Sequence, residues 1–110
     1  MPWLDVDEPQ VVELADGSIR MNMRSGKEVR RRIEGLSDDG GASWGKQWIQ
    51  DALIEPPCQA SIFRYTRYPE YGKNRLLFSN PASREQRIKL TVRLSFDEGV
   101  SWPVSRELHS

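Results

Sequence analysis

Cysteine is nearly absent. Cys58 is the single one in 110 residues, so no intrachain disulfide can form, and the residue reads as a small buried hydrophobe. An excess of either charge is also absent: 16 basic residues stand against 16 acidic ones, which argues against a nucleic-acid binder with its basic stripe. No apolar run approaches the ~18 residues of a membrane span. The opening stretch, Met1-Pro2-Trp3-Leu4-Asp5-Val6-Asp7-Glu8, is acidic and lacks the apolar centre of a signal peptide. The one histidine, His109, is nearly terminal and attracts no catalytic role. No segment carries a 3.6-residue apolar stripe, which leaves helices without support.

What the chain does have is strand periodicity. Hydrophobic content is 37%, with four Trp, three Tyr and three Phe, too much for a disordered chain. Its length suits one domain of about 100–150 residues, or part of a larger one. From Ser18 to Arg24 the alternation is unbroken: Ile19, Met21 and Met23 on one face, Ser18, Arg20, Asn22 and Arg24 on the other. Gln10–Leu14 forms a preceding strand, joined through Asp16-Gly17, a strong hairpin signal. Further strands are expected at about Val29–Leu36 and Trp44–Ile49, after which Glu55-Pro56-Pro57 interrupts pairing across Asp51–Pro57. Ala60–Tyr65, Arg75–Ser79, a long Gln86–Phe96 and Val104–Leu108 complete a second set. In Gln86–Phe96 the apolar face is Ile88, Leu90, Val92 and Leu94. The chain is therefore expected to be all-β, in two four-stranded units of about 8–51 and 58–108. The run Arg30-Arg31-Arg32 reads as solvated strand positions.

The two units share a motif. Ser37-Asp38-Asp39-Gly40-Gly41-Ala42-Ser43-Trp44 and Ser95-Phe96-Asp97-Glu98-Gly99-Val100-Ser101-Trp102 both fit S-x-D-x-G-x-S-W, 58 positions apart. In a β-turn the Asp carboxylate can accept turn amides, Gly can take positive φ and the Ser hydroxyl can close the turn. The Trp can then plug the gap between neighbouring sheets. Asp38-Asp39-Gly40 lacks the later ligands of a calcium loop, so no metal is expected.

This motif is the Asp box, and the chain resembles the sialidase (neuraminidase) superfamily of six-bladed β-propellers, exo-α-sialidases with Asp-box (BNR) repeats. The likeness extends beyond the box. Glu8-Pro9-Gln10-Val11-Val12-Glu13-Leu14, Asp16-Gly17 and Asn22-Met23-Arg24-Ser25 match a family segment, with Pro9 in place of its usual cysteine. Glu55-Pro56-Pro57-Cys58-Gln59-Ala60-Ser61 resembles a second segment. Phe78-Ser79-Asn80-Pro81-Ala82-Ser83, Gln86-Arg87 and Leu90-Thr91-Val92-Arg93-Leu94-Ser95 resemble a third.

The resemblance implies two propeller blades, 1–52 with box 37–44 and 53–110 with box 95–102. It implies a structural role for the box residues Ser37, Asp39, Gly41, Trp44, Ser95, Asp97, Gly99 and Trp102. Glu8 takes the place of the glutamate beside the family's catalytic tyrosine. Arg24 and Arg87 take those of two arginines in a triad that clamps the sialic acid carboxylate, and Gln59 is a candidate for approaching the sugar. Such residue types suit the chemistry. A guanidinium grips a carboxylate through a planar fork that Lys cannot copy. Sialosides are cleaved with a Tyr nucleophile, whose pKa near 10 calls for a neighbouring base.

The family's first triad arginine and acid/base aspartate would precede residue 1, and its tyrosine would follow Ser110. Tyr65, Tyr68 and Tyr71 do not match that tyrosine. The chain alone is therefore expected to be inactive, although it resembles a segment of a retaining glycoside hydrolase. The alternative is a non-catalytic glycan- or carboxylate-binding module that oligomerises through exposed blade edges to complete a propeller. No cofactor, nucleic acid or membrane is implied, and the cellular compartment is not legible.

Overall fold

Among the described residues, eight strands form two antiparallel meanders of four. The computed structural model describes residues 6–26, 28–56 and 58–109; the expectations on 1–5, Pro57 and Ser110 lie outside the described residues. The strands are β1 (Val6–Glu13), β2 (Ile19–Ser25), β3 (Arg31–Ser37), β4 (Gln47–Ile54), β5 (Ser61–Thr66), β6 (Arg75–Pro81), β7 (Leu90–Ser95) and β8 (Val104–His109). They form two four-stranded sheets, β1-β2-β3-β4 and β5-β6-β7-β8, which approach most closely along β1 and β5. Among the described residues no helix is long and apolar enough to cross a membrane.

Turn chemistry sets the hairpins. The Asp16 carboxylate accepts the Ser18 amide at 2.9 Å while Gly17 adopts φ +89, closing β1 onto β2. The two Asp boxes are near copies. In the first, the Ser37 hydroxyl donates to Asp39 (2.7 Å) and accepts the Gly41 amide (2.9 Å). The Ser43 amide and hydroxyl donate to the Asp39 carboxylate at 2.8 and 2.5 Å. Ser95, Asp97, Gly99 and Ser101 repeat the pattern at 2.8, 2.8, 2.8 and 2.5 Å. Gly40 and Gly41 hold φ +72 and +94; the second box holds Glu98 and Gly99 at +62 and +92. A side chain in the left-handed region costs energy. Glu98 is kept there by Arg64, which donates at 2.8 and 2.5 Å, and by the Ala15 amide at 2.5 Å.

These turns titrate. The Ser43 hydroxyl and amide, then the Ser37 hydroxyl, hold the Asp39 carboxyl at about 2, below its ordinary 3.8. Burial pushes Asp97 upward, but the Ser101 hydroxyl and amide and the Ser95 hydroxyl outweigh it and leave Asp97 lowered. A depressed carboxyl contributes stability that is whole above its unfolded value and is lost as the pH falls through the folded one. Asp39→Asn should therefore flatten the loss of unfolding midpoint between 3.8 and about 2, read by thermal melts across that interval.

The core between the sheets is partly apolar: Val12, Leu14, Leu53, Ile62, Leu76, Phe78 and Trp102. The Phe78 and Trp102 rings meet at 5.8 Å and 57°. Trp102 thus fills the gap its motif predicts, whereas Trp44 is only half-buried. The rest of the interface is polar, and Arg32, expected to be solvated, lies within it. Arg20, Asn22, Arg32 and Glu34 are all buried. Glu34 accepts from Arg20 (2.8 Å), Asn22 (2.9 Å) and Gln50 (3.1 Å). Arg20 and Gln50 in turn donate to the Glu98 and Gly99 carbonyls of the second box at 3.0 and 3.2 Å. A Cβ on Gly99 would lie 2.8 Å from Arg20, so the glycine permits this approach.

Most strand limits differ from expectation by a residue or more, β1 beginning at Val6 rather than Gln10, and two differences have a clear cause. β4 begins at Gln47 and runs to Ile54, because a bulge lets Ile54 pair with Arg31. β7 starts only at Leu90, since Lys89 holds φ +61 and cannot continue an extended strand. Ile88 and Leu90 are therefore exposed, and Thr91 is buried instead.

Candidate functional site

An antiparallel meander puts alternate connections at opposite ends of its sheets. Both Asp boxes follow β3 and β7 at one end. At the other lie the start of β1, the end of β2, the β4–β5 link and the β6–β7 loop. These four segments carry Glu8, Arg24, Cys58 with Gln59, and Arg87, which line one open cavity of about 400 Å³.

Glu8 owes its direction to a bulge in β1. Pairing jumps from Asp7↔Arg24 to Gln10↔Asn22, leaving Glu8 and Pro9 outside the ladder. Proline tolerates that position because it has no amide hydrogen to donate. Glu8 sits at φ +44 with its amide on the Asp7 carboxylate at 2.8 Å. Its own carboxylate forms an ion pair with the Arg24 guanidinium, their side chains 30% and 29% exposed. A pair that exposed contributes little stability, so its effect is orientation. The Glu8 hydrogen bond also raises the Arg24 pKa, keeping the guanidinium charged.

Gln59 is exposed at the rim, and Arg87 enters from the β6–β7 loop. That loop is tied to the first sheet: Arg30 donates to the Arg84 carbonyl and lies 4.0 Å from Glu85. Cys58 is buried as expected, yet it also lines the cavity, a place the sequence reading did not assign. Burial, with Glu55 adding to it, pushes the Cys58 thiol up against the opposing pull of Arg87, Arg32 and Arg24. Its place directly before Gln59 was the available signal.

Two residues outside the cavity bond to its walls and escaped the sequence reading. Arg32 and Glu55 form an ion pair at 2.8 Å, with both side chains fully buried. Glu55 accepts from the Ser25 amide and hydroxyl at 2.8 and 2.9 Å, and Arg32 donates to the Cys58 carbonyl at 3.2 Å. Among the described residues no group of three or more His, Cys, Asp or Glu side chains could hold a metal ion. The site offers two guanidinium groups, one carboxylate and one amide around an open space, a set suited to an anionic, hydroxyl-rich ligand.

The BNR repeat-like domain family matches residues 4–110. A sialidase of Micromonospora viridifaciens is 40% identical over 104 residues, 92% of this chain and 16% of the relative. One from Bacteroides fragilis is 32% identical over 92% of this chain and 19% of the relative. Among solved structures, the Hadza microbial sialidase Hz136 superposes with a TM-score of 0.82 at 34% identity, covering 94% of this chain and 20% of that one. The NanB sialidase of Streptococcus pneumoniae gives 0.80 at 26% identity over 94% and 16%. The chain thus spans about a fifth or less of the length of these proteins.

Proposed function

The chain belongs to the BNR repeat-like family and is a sialidase-like segment, and from that premise we propose that it carries part of a sialic acid site. In this reading Arg24 and Arg87 grip the sugar carboxylate and Gln59 approaches the ring. Glu8 serves as the base for a tyrosine nucleophile that the chain does not itself supply. The observation that carries the reading is the convergence of Glu8, Arg24, Gln59 and Arg87 on one cavity, from four segments that share only an end of the fold. The box residues Asp39 and Asp97, at the far end, act structurally, and the two sheets are two propeller blades.

The parent activity we infer is retaining hydrolysis of terminal sialic acids. By the family resemblance, no residue of these 110 matches the acid/base aspartate or the nucleophilic tyrosine, and general acid catalysis alone contributes roughly 10²–10⁴-fold. It should bind N-acetylneuraminic acid without turning over a fluorogenic sialoside. A charged hydrogen bond is worth about 1.5–3 kcal/mol, so Arg24→Ala and Arg87→Ala should each weaken binding at least about tenfold. Nuclear magnetic resonance titration reads both. Binding untouched by either change would refute the site, and turnover by the wild-type chain would refute the inactivity.

One observation favours a second reading, association of copies. Phe63, Leu77, Leu94 and Val104 are cross-strand neighbours in a single apolar row, on the face of the second sheet turned away from the first. Phe63 and Val104 are 49% and 45% exposed. Light scattering on the same sample decides it, a monomer mass eliminating assembly.

A further inference from the structure

We propose that the buried Arg32–Glu55 pair is a positioning device that holds two walls of the cavity at a fixed separation. The inference rests on the carboxylate-binding reading for its consequence, though not for its geometry. One wall is the end of β2, where Arg24 is followed by Ser25. The Glu55 carboxylate takes both the amide and the hydroxyl of Ser25, gripping that wall at two points. The other wall is the β4–β5 link, where Cys58 precedes Gln59, and Arg32 holds the Cys58 carbonyl. Glu55 itself opens that link, so its bonds to Ser25 already join the two walls, and the ion pair with Arg32 clamps both the Glu55 carboxylate and the Cys58 carbonyl to β3.

Its surroundings allow little play. The Arg32 Nε donates to the Asn22 side chain at 2.6 Å and Nη2 reaches the Asn22 carbonyl at 3.4 Å. Its guanidinium lies over the Phe78 ring, 5.9 Å from the centroid. The Glu55 amide donates to the Arg30 carbonyl at 3.1 Å, fixing the carboxylate from its own backbone. Neither Arg32 nor Glu55 lines the cavity, so neither can touch a ligand held there. Stability does not explain such a pair, because well-packed apolar residues of similar volume do as well or better in a buried site. Directional bonds to two chosen backbone segments do explain it, since small displacements of binding groups are costly.

The test uses Cys58, the chain's single cysteine, as a reporter. Arg32→Met alone leaves the Glu55 carboxylate buried without its counter-charge, so the working variant carries R32M together with E55L, which removes both charges. In the wild-type chain iodoacetamide should alkylate Cys58 slowly, because the residue is 6% exposed. In the double variant alkylation should be at least about tenfold faster, with E55Q intermediate because it keeps the side-chain shape and one acceptor. Leu76→Ala destabilises the core without touching either wall and should leave the rate near wild type, separating positioning from general loosening.

The same variants are titrated with N-acetylneuraminic acid, and the double variant should bind at least about tenfold more weakly. A double variant that melts like wild type and keeps the wild-type alkylation rate overturns the proposal. If the double variant does not fold, a wild-type rate in E55Q overturns it instead. If the wild-type chain binds no N-acetylneuraminic acid, the carboxylate site fails, while the alkylation rates still decide the positioning role.

Discussion

Replacing Glu34 by alanine is expected to cost about 3–5 kcal/mol, the range for removing one partner of a buried charge pair. Glu34 is fully buried and is the acceptor on which Arg20, Asn22 and Gln50 all converge. Its removal leaves the Arg20 guanidinium, whose side chain is only 5% exposed, without a carboxylate. The loss then spreads across the interface, because Arg20 and Gln50 are the side chains that reach the second box. Against a total of about 5–15 kcal/mol for a small domain, that is a large fraction. Urea unfolding followed by tryptophan fluorescence should show a lower midpoint with an unchanged slope. Glu34→Gln, which keeps shape and one acceptor, should lose less. A cost below about 1 kcal/mol for the alanine change would mean Arg20 is satisfied elsewhere and the network is not the seam described.

Phe78→Ala should be of the same order, by a different mechanism. The ring is fully buried, packs on Trp102 and lies beneath Arg32. Deleting it removes transfer energy and opens a cavity, typically about 3–5 kcal/mol for a buried aromatic. For a chain of this size that corresponds to a fall in melting temperature on the order of 15 °C. Leu108→Ala is the contrast: at 57% exposure on β8 it should change stability by no more than about 0.5 kcal/mol. Equal losses at the two positions would place the core elsewhere.

The strands and boxes were legible because their signals are local. Period-2 alternation, Asp16-Gly17 and the repeated S-x-D-x-G-x-S-W each act within a few residues. The burial of the polar faces was not legible, because a polar residue on a strand is read as wet unless its partner is known. The partner of Arg32 is 23 residues away and that of Arg20 is 14 away. The run Arg30-Arg31-Arg32 shows the difficulty. Arg30 reaches the Arg84 carbonyl, Arg31 lies 3.6 Å from exposed Asp51, and Arg32 is wholly enclosed. Three identical neighbours meet three environments that composition cannot separate. In the candidate site, the position of each lining residue followed the family segments, whereas the Arg32–Glu55 pair behind the walls had no sequence signal of its own.

Glu98 has a consequence that reaches past its own turn. It stands where the first box has a glycine, and it bonds both to Arg64 in its own sheet and to Ala15 in the other. Hydrogen bonds are angular, whereas apolar contact is nearly indifferent to rotation. A seam of leucines alone would let one sheet swivel on the next. One closed by Glu98, Arg20 and Gln50 restricts the angle between them. That angle is the quantity a ring of blades must repeat in order to close, so here the pitch of the array is written in a few polar atoms rather than in the bulk of the core.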